Sequence, residues 1–226
     1  MKIKQNIANR IDHTLLHPTA TREAIQHLCR EAQSYQFQAV CVPPLYVARA
    51  HDILKKTPVK VCTVIGFPLG YQHTSVKALE AQKAMNDGAN EIDIVMNLAF
   101  FKSGEYESVC NDLLPIVTIA QKQTVLTKVI IETSFLSEDE KVEACLIVQN
   151  SGADFIKTST GFGGGGATVQ DVKLLSKCLK GSPVKIKASG GIRTFKQAKA
   201  MIQAGASRIG TSAGVTIVQQ ERELSE

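Results

Sequence analysis

One joint recurs three times in this 226-residue chain, and it restricts the fold more than any other feature. It reads Gly88-Ala89-Asn90-Glu91-Ile92, then Gly152-Ala153-Asp154-Phe155-Ile156, then Gly205-Ala206-Ser207-Arg208-Ile209. Each copy follows a helical pattern and opens a short apolar run. A glycine just past a helix end takes the left-handed conformation that other residues reach only against steric resistance. The small alanine after it lets the chain turn back toward the next strand. Three copies of one helix-to-strand joint predict a repeated βα unit.

The rest of the chain can be parsed around these joints. Ser137 with Glu140, Thr168 with Asp171 and Thr194 with Gln197 have the spacing of capping boxes, the aspartate being the imperfect member. Apolar residues follow each pair at close to helical period, and an alanine-rich helix is predicted over 76–86. Strands are predicted at 10–13, 38–42, 59–65, 91–96, 126–132, 154–157, 184–188 and 207–210, with helices between most neighbours. Eight βα units in roughly 200–250 residues are what a closed (β/α)8 TIM barrel requires. The rival, an open doubly wound sheet, expects a glycine-rich turn after its first strand. Here that position holds Leu15-Leu16-His17-Pro18. No linker or shift of composition interrupts the chain, so residues 1–226 are read as a single barrel domain.

Composition narrows the class without choosing a chemistry. The chain is 44% hydrophobic and 21% charged, as ordinary globular proteins are. Its net charge of +5 is dispersed, which favours small anions slightly and argues against nucleic acid as a partner. No apolar run approaches the ~20 residues of a membrane span, and the polar segment 1–10 lacks the apolar stretch of a signal peptide. A cytoplasmic protein is predicted. The six cysteines have neither disulfide nor metal-ligand spacing and read as reduced core thiols. His13, His17, His51 and His73 lie on separate segments without matching carboxylates, so no metal site is predicted.

Strand alternation then assigns the charges. In a closed parallel barrel the outer face packs on helices and is apolar. Ile92 and Ile94 therefore point outward and Asp93 inward. By the same rule Lys128 and Glu132 point inward from the fifth strand, Lys157 from the sixth and Lys187 from the seventh. Interior charges are costly unless paired or neutralised, and two ammonium groups held close together lower each other's proton affinity. A neutral amine attacks carbonyls, so the lysine pair points to Schiff-base chemistry. The bland alternative is an ion-pair network that merely fills the barrel. It is disfavoured because these groups lie late in their strands, facing the end where barrel enzymes hold their sites.

Two glycine turns complete the pattern: Ser189-Gly190-Gly191-Ile192-Arg193 after the seventh strand and Gly210-Thr211-Ser212-Ala213-Gly214 after the eighth. Loops at these positions, with backbone amides near helix starts, are the usual phosphate cradle of the fold. The run Gly163–Gly166 reads as a mobile rim or an additional backbone contact, and not as a direct ligand.

Lys157-Thr158-Ser159-Thr160-Gly161-Phe162 resembles the Schiff-base motif of the deoxyribose-phosphate aldolase family. Glu91-Ile92-Asp93-Ile94-Val95-Met96-Asn97, Lys128-Val129-Ile130-Ile131-Glu132-Thr133 and Lys187-Ala188-Ser189-Gly190-Gly191-Ile192-Arg193 are similar to that family's other blocks, in the same order. So are Ile11-Asp12-His13-Thr14-Leu15-Leu16 and Val40-Cys41-Val42-Pro43, and the likeness runs from about residue 10 to 214. It implies a metal-free, cofactor-free class I aldolase on a (β/α)8 barrel. Such an enzyme reversibly cleaves 2-deoxy-D-ribose 5-phosphate to D-glyceraldehyde 3-phosphate and acetaldehyde.

By this resemblance Lys157 is the Schiff-base lysine, Lys187 the lysine that tunes it and Asp93 the proton-relay carboxylate. Gly161, Gly190, Gly191, Arg193, Gly210 and Ser212 correspond to the phosphate-loop positions. Lys128 and Glu132, as a buried pair, and Thr158 are expected to support them. The polar segment 215–226 lacks the terminal tyrosine that some relatives use in proton transfer. Another Schiff-base aldolase or transaldolase, or a non-catalytic sugar-phosphate-binding barrel, are the rival readings. Whether the chain is a homodimer or a higher homo-oligomer is left open by the sequence.

Overall fold

A computed structural model describes residues 7–224; residues 1–6 of the polar leading segment and 225–226 of the polar end fall outside the described residues. Eight parallel strands close into a barrel in sequence order: β1 (Ile11–Thr14), β2 (Ala39–Cys41), β3 (Lys60–Ile65), β4 (Glu91–Val95), β5 (Leu126–Ile130), β6 (Phe155–Lys157), β7 (Lys185–Ser189) and β8 (Arg208–Thr211). Helices α1 (Arg22–Tyr35), α2 (Val47–Leu54), α3 (Thr74–Asn86), α4 (Leu98–Lys102), α5 (Tyr106–Lys122), α6 (Glu138–Ser151), α7 (Val169–Cys178), α8 (Phe195–Ala204) and α9 (Gly214–Glu223) surround it. This is the predicted (β/α)8 TIM barrel, each strand lying within about two residues of its expected bounds.

The alternation rule holds where it matters. Ile92, Ile94, Val129, Ile156 and Ile186 belong to the large core between barrel and helices. A smaller cluster inside the barrel contains Ala39, Cys41, Cys62 and Val64, with Leu16 and Phe67 packed over it. All six cysteines are free thiols, four of them buried, while Cys110 and Cys178 are only partly so. Among the described residues no helix is long and apolar enough to cross a membrane.

The punctuation is as the sequence predicts. Gly88, Gly152 and Gly205 all have positive φ, at 99°, 74° and 122°. Ser137–Glu140 and Thr194–Gln197 form reciprocal capping boxes at the starts of α6 and α8. Thr168 caps α7 through the Asp171 amide alone, because the Asp171 carboxylate pairs instead with Lys141 at 2.6 Å.

The early end of β5 matters most for the site. β5 ends at Ile130, and Glu132 sits in the left-handed region at φ 49°, ψ 70° before a 3₁₀ turn over Thr133–Phe135. A non-glycine residue there is strained unless its side chain is held.

Candidate active site

Register sets the inward layers. Asp93 on β4 is the direct neighbour of Lys128 on β5, and Lys157 on β6 is the neighbour of Lys187 on β7. Their side chains meet at Asp93. One carboxylate oxygen takes Lys157 Nζ and Lys187 Nζ, each at 2.8 Å, and the other takes Lys128 Nζ at 2.8 Å. Lys187 also reaches Asp12 Oδ2 on β1 at 2.5 Å. Lys128 reaches Glu91 Oε2 at 2.7 Å, and Arg208 on β8 joins Asp12 at 2.5 Å to Glu91 at 3.2 Å. Every member of this network is buried.

Burial opposes every one of these charges, so the shifts show what overcomes it. Desolvation would raise the Asp93 carboxyl, yet Lys128, Lys157 and Lys187 hold it well below the usual carboxylate range. Asp12 is likewise resisted by burial but brought down to about 2 by Lys187, Arg208 and Lys128. Lys187 and Lys128 are penalised by burial and still bind their protons more tightly than a free lysine, chiefly through Asp12 and Asp93 for the former and Asp93 for the latter. Four cations, Lys128, Lys157, Lys187 and Arg208, thus face three carboxylates, Asp12, Glu91 and Asp93. The network is electrically balanced when one lysine lacks its proton.

Above the network opens a cleft of about 530 Å³ at the C-terminal ends of the strands. Of the four cations only Lys157 lines it. Gly161, Gly190, Gly191, Arg193, Gly210 and Ser212, the six expected phosphate-loop positions, line the same cleft. Gly161, Gly190 and Gly191 have φ of 87°, 93° and 77°, a backbone conformation that side chains resist. Gly210 answers a different need: a Cβ there would lie 3.0 Å from Lys187 Cε and 2.9 Å from Ser189 Cβ, crowding the stem of the lysine. Thr158 joins the ends of β6 and β7, its hydroxyl donating to Ser189 O and accepting from Ser189 N, both at 3.0 Å.

The expected buried pair of Lys128 with Glu132 is not formed. The turn of the backbone at Glu132 carries its carboxylate away from the lysines, and Oε2 accepts from the Thr160 amide at 3.0 Å and from the Thr160 hydroxyl. Lys128 finds Asp93 and Glu91 instead. Asp12, Glu91 and Arg208 were not singled out as site residues from sequence. The signal was available, because Ile11 and Ile209 are outward-facing residues and the same alternation turns Asp12 and Arg208 inward.

Two donor groups among the described residues have metal-like proximity, Cys41–Cys62–Asp93 and Asp12–Cys62–Glu91, each with its ligand atoms within 4.8 Å of one another. Neither suits a cation. Their carboxylates are already engaged by lysine or arginine, and an added divalent charge would face those same ammonium and guanidinium groups.

Fold and cleft together define a (β/α)8 barrel enzyme with a lysine at the floor of a glycine-lined pocket. A family model described as DeoC/LacD family aldolase matches residues 7–220. The chain is 53% identical over 216 residues to the deoxyribose-phosphate aldolase of Caldanaerobacter subterraneus subsp. tengcongensis, covering 95% of this chain and 93% of that one. It is 53% identical over 222 residues to the corresponding Thermococcus gammatolerans protein, covering 97% and 98%. Among solved structures, the aldolase QR15 superposes with a TM-score of 0.92 at 43% identity over 98% of this chain and 99% of its own. The tetrameric deoxyribose phosphate aldolase of Aeropyrum pernix superposes with a TM-score of 0.91 at 36% identity, over 96% and 92%. The chain belongs to the DeoC/LacD aldolase family, and it is an aldolase, a carbon–carbon lyase.

Proposed function

We propose that this aldolase reversibly cleaves 2-deoxy-D-ribose 5-phosphate to D-glyceraldehyde 3-phosphate and acetaldehyde through a Schiff base on Lys157. The supporting observation is the charge count at Asp93: the network is one carboxylate short, and Lys157 is the member that opens onto the cleft. As a neutral amine it adds to the aldehyde carbon of the open-chain sugar, and loss of water leaves an iminium. The iminium draws in the electrons of the bond between the second and third sugar carbons. As that bond breaks, the third-carbon hydroxyl gives up its proton, directly or through a water, to the relay built on Asp93. Lys187, held protonated by Asp12 and Asp93, keeps positive charge beside the reacting nitrogen. The enamine left behind takes a proton at carbon, and hydrolysis frees acetaldehyde and restores the amine. The sugar's phosphate lies across Gly161, Gly190, Gly191, Arg193, Gly210 and Ser212, where backbone amides supply donors. Thr158 keeps the β6 and β7 ends in register beneath it.

Incubation with acetaldehyde followed by borohydride reduction is expected to place one ethyl group on Lys157, located by peptide mass spectrometry and lost when the aldehyde is omitted. No adduct, or ethylation scattered over exposed lysines, rules the reading out.

We also propose that the chain self-associates. Leu69, Tyr71, Val76 and Leu79, on the loop after β3 and the start of α3, are at least half exposed. The tetrameric relative from Aeropyrum pernix supports this reading.

A further inference from the structure

The glycine run Gly163–Gly166 belongs to no step above, and Glu132 was turned away from the cluster it was expected to join. These two features meet. A Cβ on Gly163 would lie 2.7 Å from Glu132 Cδ, and one on Gly165 would lie 2.4 Å from Ser134 Cβ. A Cβ on Gly166 would lie 2.5 Å from the Gly190 carbonyl oxygen, which also accepts from the Ala167 amide at 3.1 Å. Residues 163–166 are therefore a strap packed against the Glu132 and Ser134 side chains after β5 and against the Gly190 backbone after β7.

Glu132 fastens the near end of the strap. Its Oε2 holds the Thr160 amide and hydroxyl, and that hydroxyl in turn accepts from the Phe162 amide at 3.0 Å. Gly161 lies between these two anchored residues. Glu132 has a left-handed backbone, a buried carboxylate with no cation partner among the described residues, and an Oε1 without a hydrogen-bond partner. Backbone strain and an unpaired buried oxygen are both unfavourable in one residue, and such costs persist where the geometry they maintain is needed. The geometry maintained here is the placement of Gly161 relative to Gly190 and Gly191, which line the same cleft.

We propose that Glu132 and the Gly163–Gly166 strap are positioning elements for the phosphate end of the substrate. Glu132 sets Thr160–Gly161, Gly166 sets Gly190, and the strap between them fixes the width of the anion cradle. Neither touches the amine network, so they govern how well a phosphorylated sugar is bound in preference to its unphosphorylated counterpart. The inference rests on the reading of the cleft as a deoxyribose-phosphate site.

The test uses Gly166→Ala, Glu132→Ala and Glu132→Gln in the full chain. Steady-state kinetics are measured on 2-deoxy-D-ribose 5-phosphate and on unphosphorylated 2-deoxy-D-ribose, together with borohydride trapping by acetaldehyde and Tm. Gly166→Ala and Glu132→Ala are expected to raise KM for the phosphorylated sugar by about tenfold or more. Their kcat stays within about threefold, and kcat/KM on the unphosphorylated sugar stays within about twofold. Glu132→Gln, whose amide oxygen still accepts from Thr160, is expected to restore KM. Equal losses on both sugars would show a merely structural strap, and no loss on either would show that it sets nothing. If Gly166→Ala does not fold, the contrast between Glu132→Ala and Glu132→Gln decides. Failure of the wild-type protein to trap acetaldehyde on Lys157 would instead count against the underlying functional reading.

Discussion

Asp93 is the residue on which the interior charge depends, since it touches three lysines through two oxygens. Its partner in this task, Asp12, makes the consequence for stability calculable. Both carboxyls titrate lower in the folded protein than in the unfolded chain. Their contribution is therefore complete above the unfolded value and lost as pH falls toward the folded one. For Asp12 that window runs from 3.8 down to about 2, a contribution of ~2 kcal/mol, and Asp93 extends it further down. Urea unfolding midpoints are expected to fall steeply below pH 4, and a flat profile between pH 5 and 2.5 would refute the linkage. At this scale the sequence showed Lys157, Lys187, Lys128 and Asp93 clearly, because outward isoleucines and valines flank them. Glu132 could not be read the same way. Alternation assumes a strand, and nothing local to Ile131-Glu132-Thr133 announces that the backbone turns left-handed there.

The elements owe their boundaries to short-range chemistry, which explains why all eight strands were legible to within about two residues at each end. Glycines past the helix ends and capping side chains before the helix starts are encoded within four residues. Where a strand stops depends on what the following loop must reach. The three predicted capping boxes differ in a way that can be measured. Ser137→Ala removes the acceptor for the Glu140 amide and leaves the Glu140 side chain without its reciprocal arrangement at α6. A loss of ~1 kcal/mol in urea unfolding is expected, with aldolase turnover unchanged, since a neutral cap is worth about 0.5–2 kcal/mol. A change in turnover without a change in stability would mean that α6 does more than support the barrel.

For the whole molecule, closure is the defining property: β1 pairs with β8 through Ile11 with Ile209, Asp12 with Gly210 and His13 with Thr211. The barrel removes every free strand edge of the sheet, so any self-association uses helix and loop surfaces. With Leu69, Tyr71, Val76 and Leu79 exposed on one such surface, sedimentation velocity at micromolar concentration is expected to show a species larger than the 24.5 kDa chain. A monomer that persists at tens of micromolar would refute self-association. Overall topology could be inferred from repeated local joints, whereas the pairing of first and last strands is a long-range fact that no local window contains.

That pairing also orders events in time. Arg208 is bonded to Asp12 across 196 residues, and contacts so distant in sequence form late because the intervening loop must first be closed. During synthesis, Asp12, Glu91, Asp93, Lys128, Lys157 and Lys187 all emerge from the ribosome before the arginine that joins two of the acids. A nascent chain therefore carries Lys157 well before it has the Arg208 link that completes the surrounding charge network. The buried charge network is thus completed only after translation has passed residue 208.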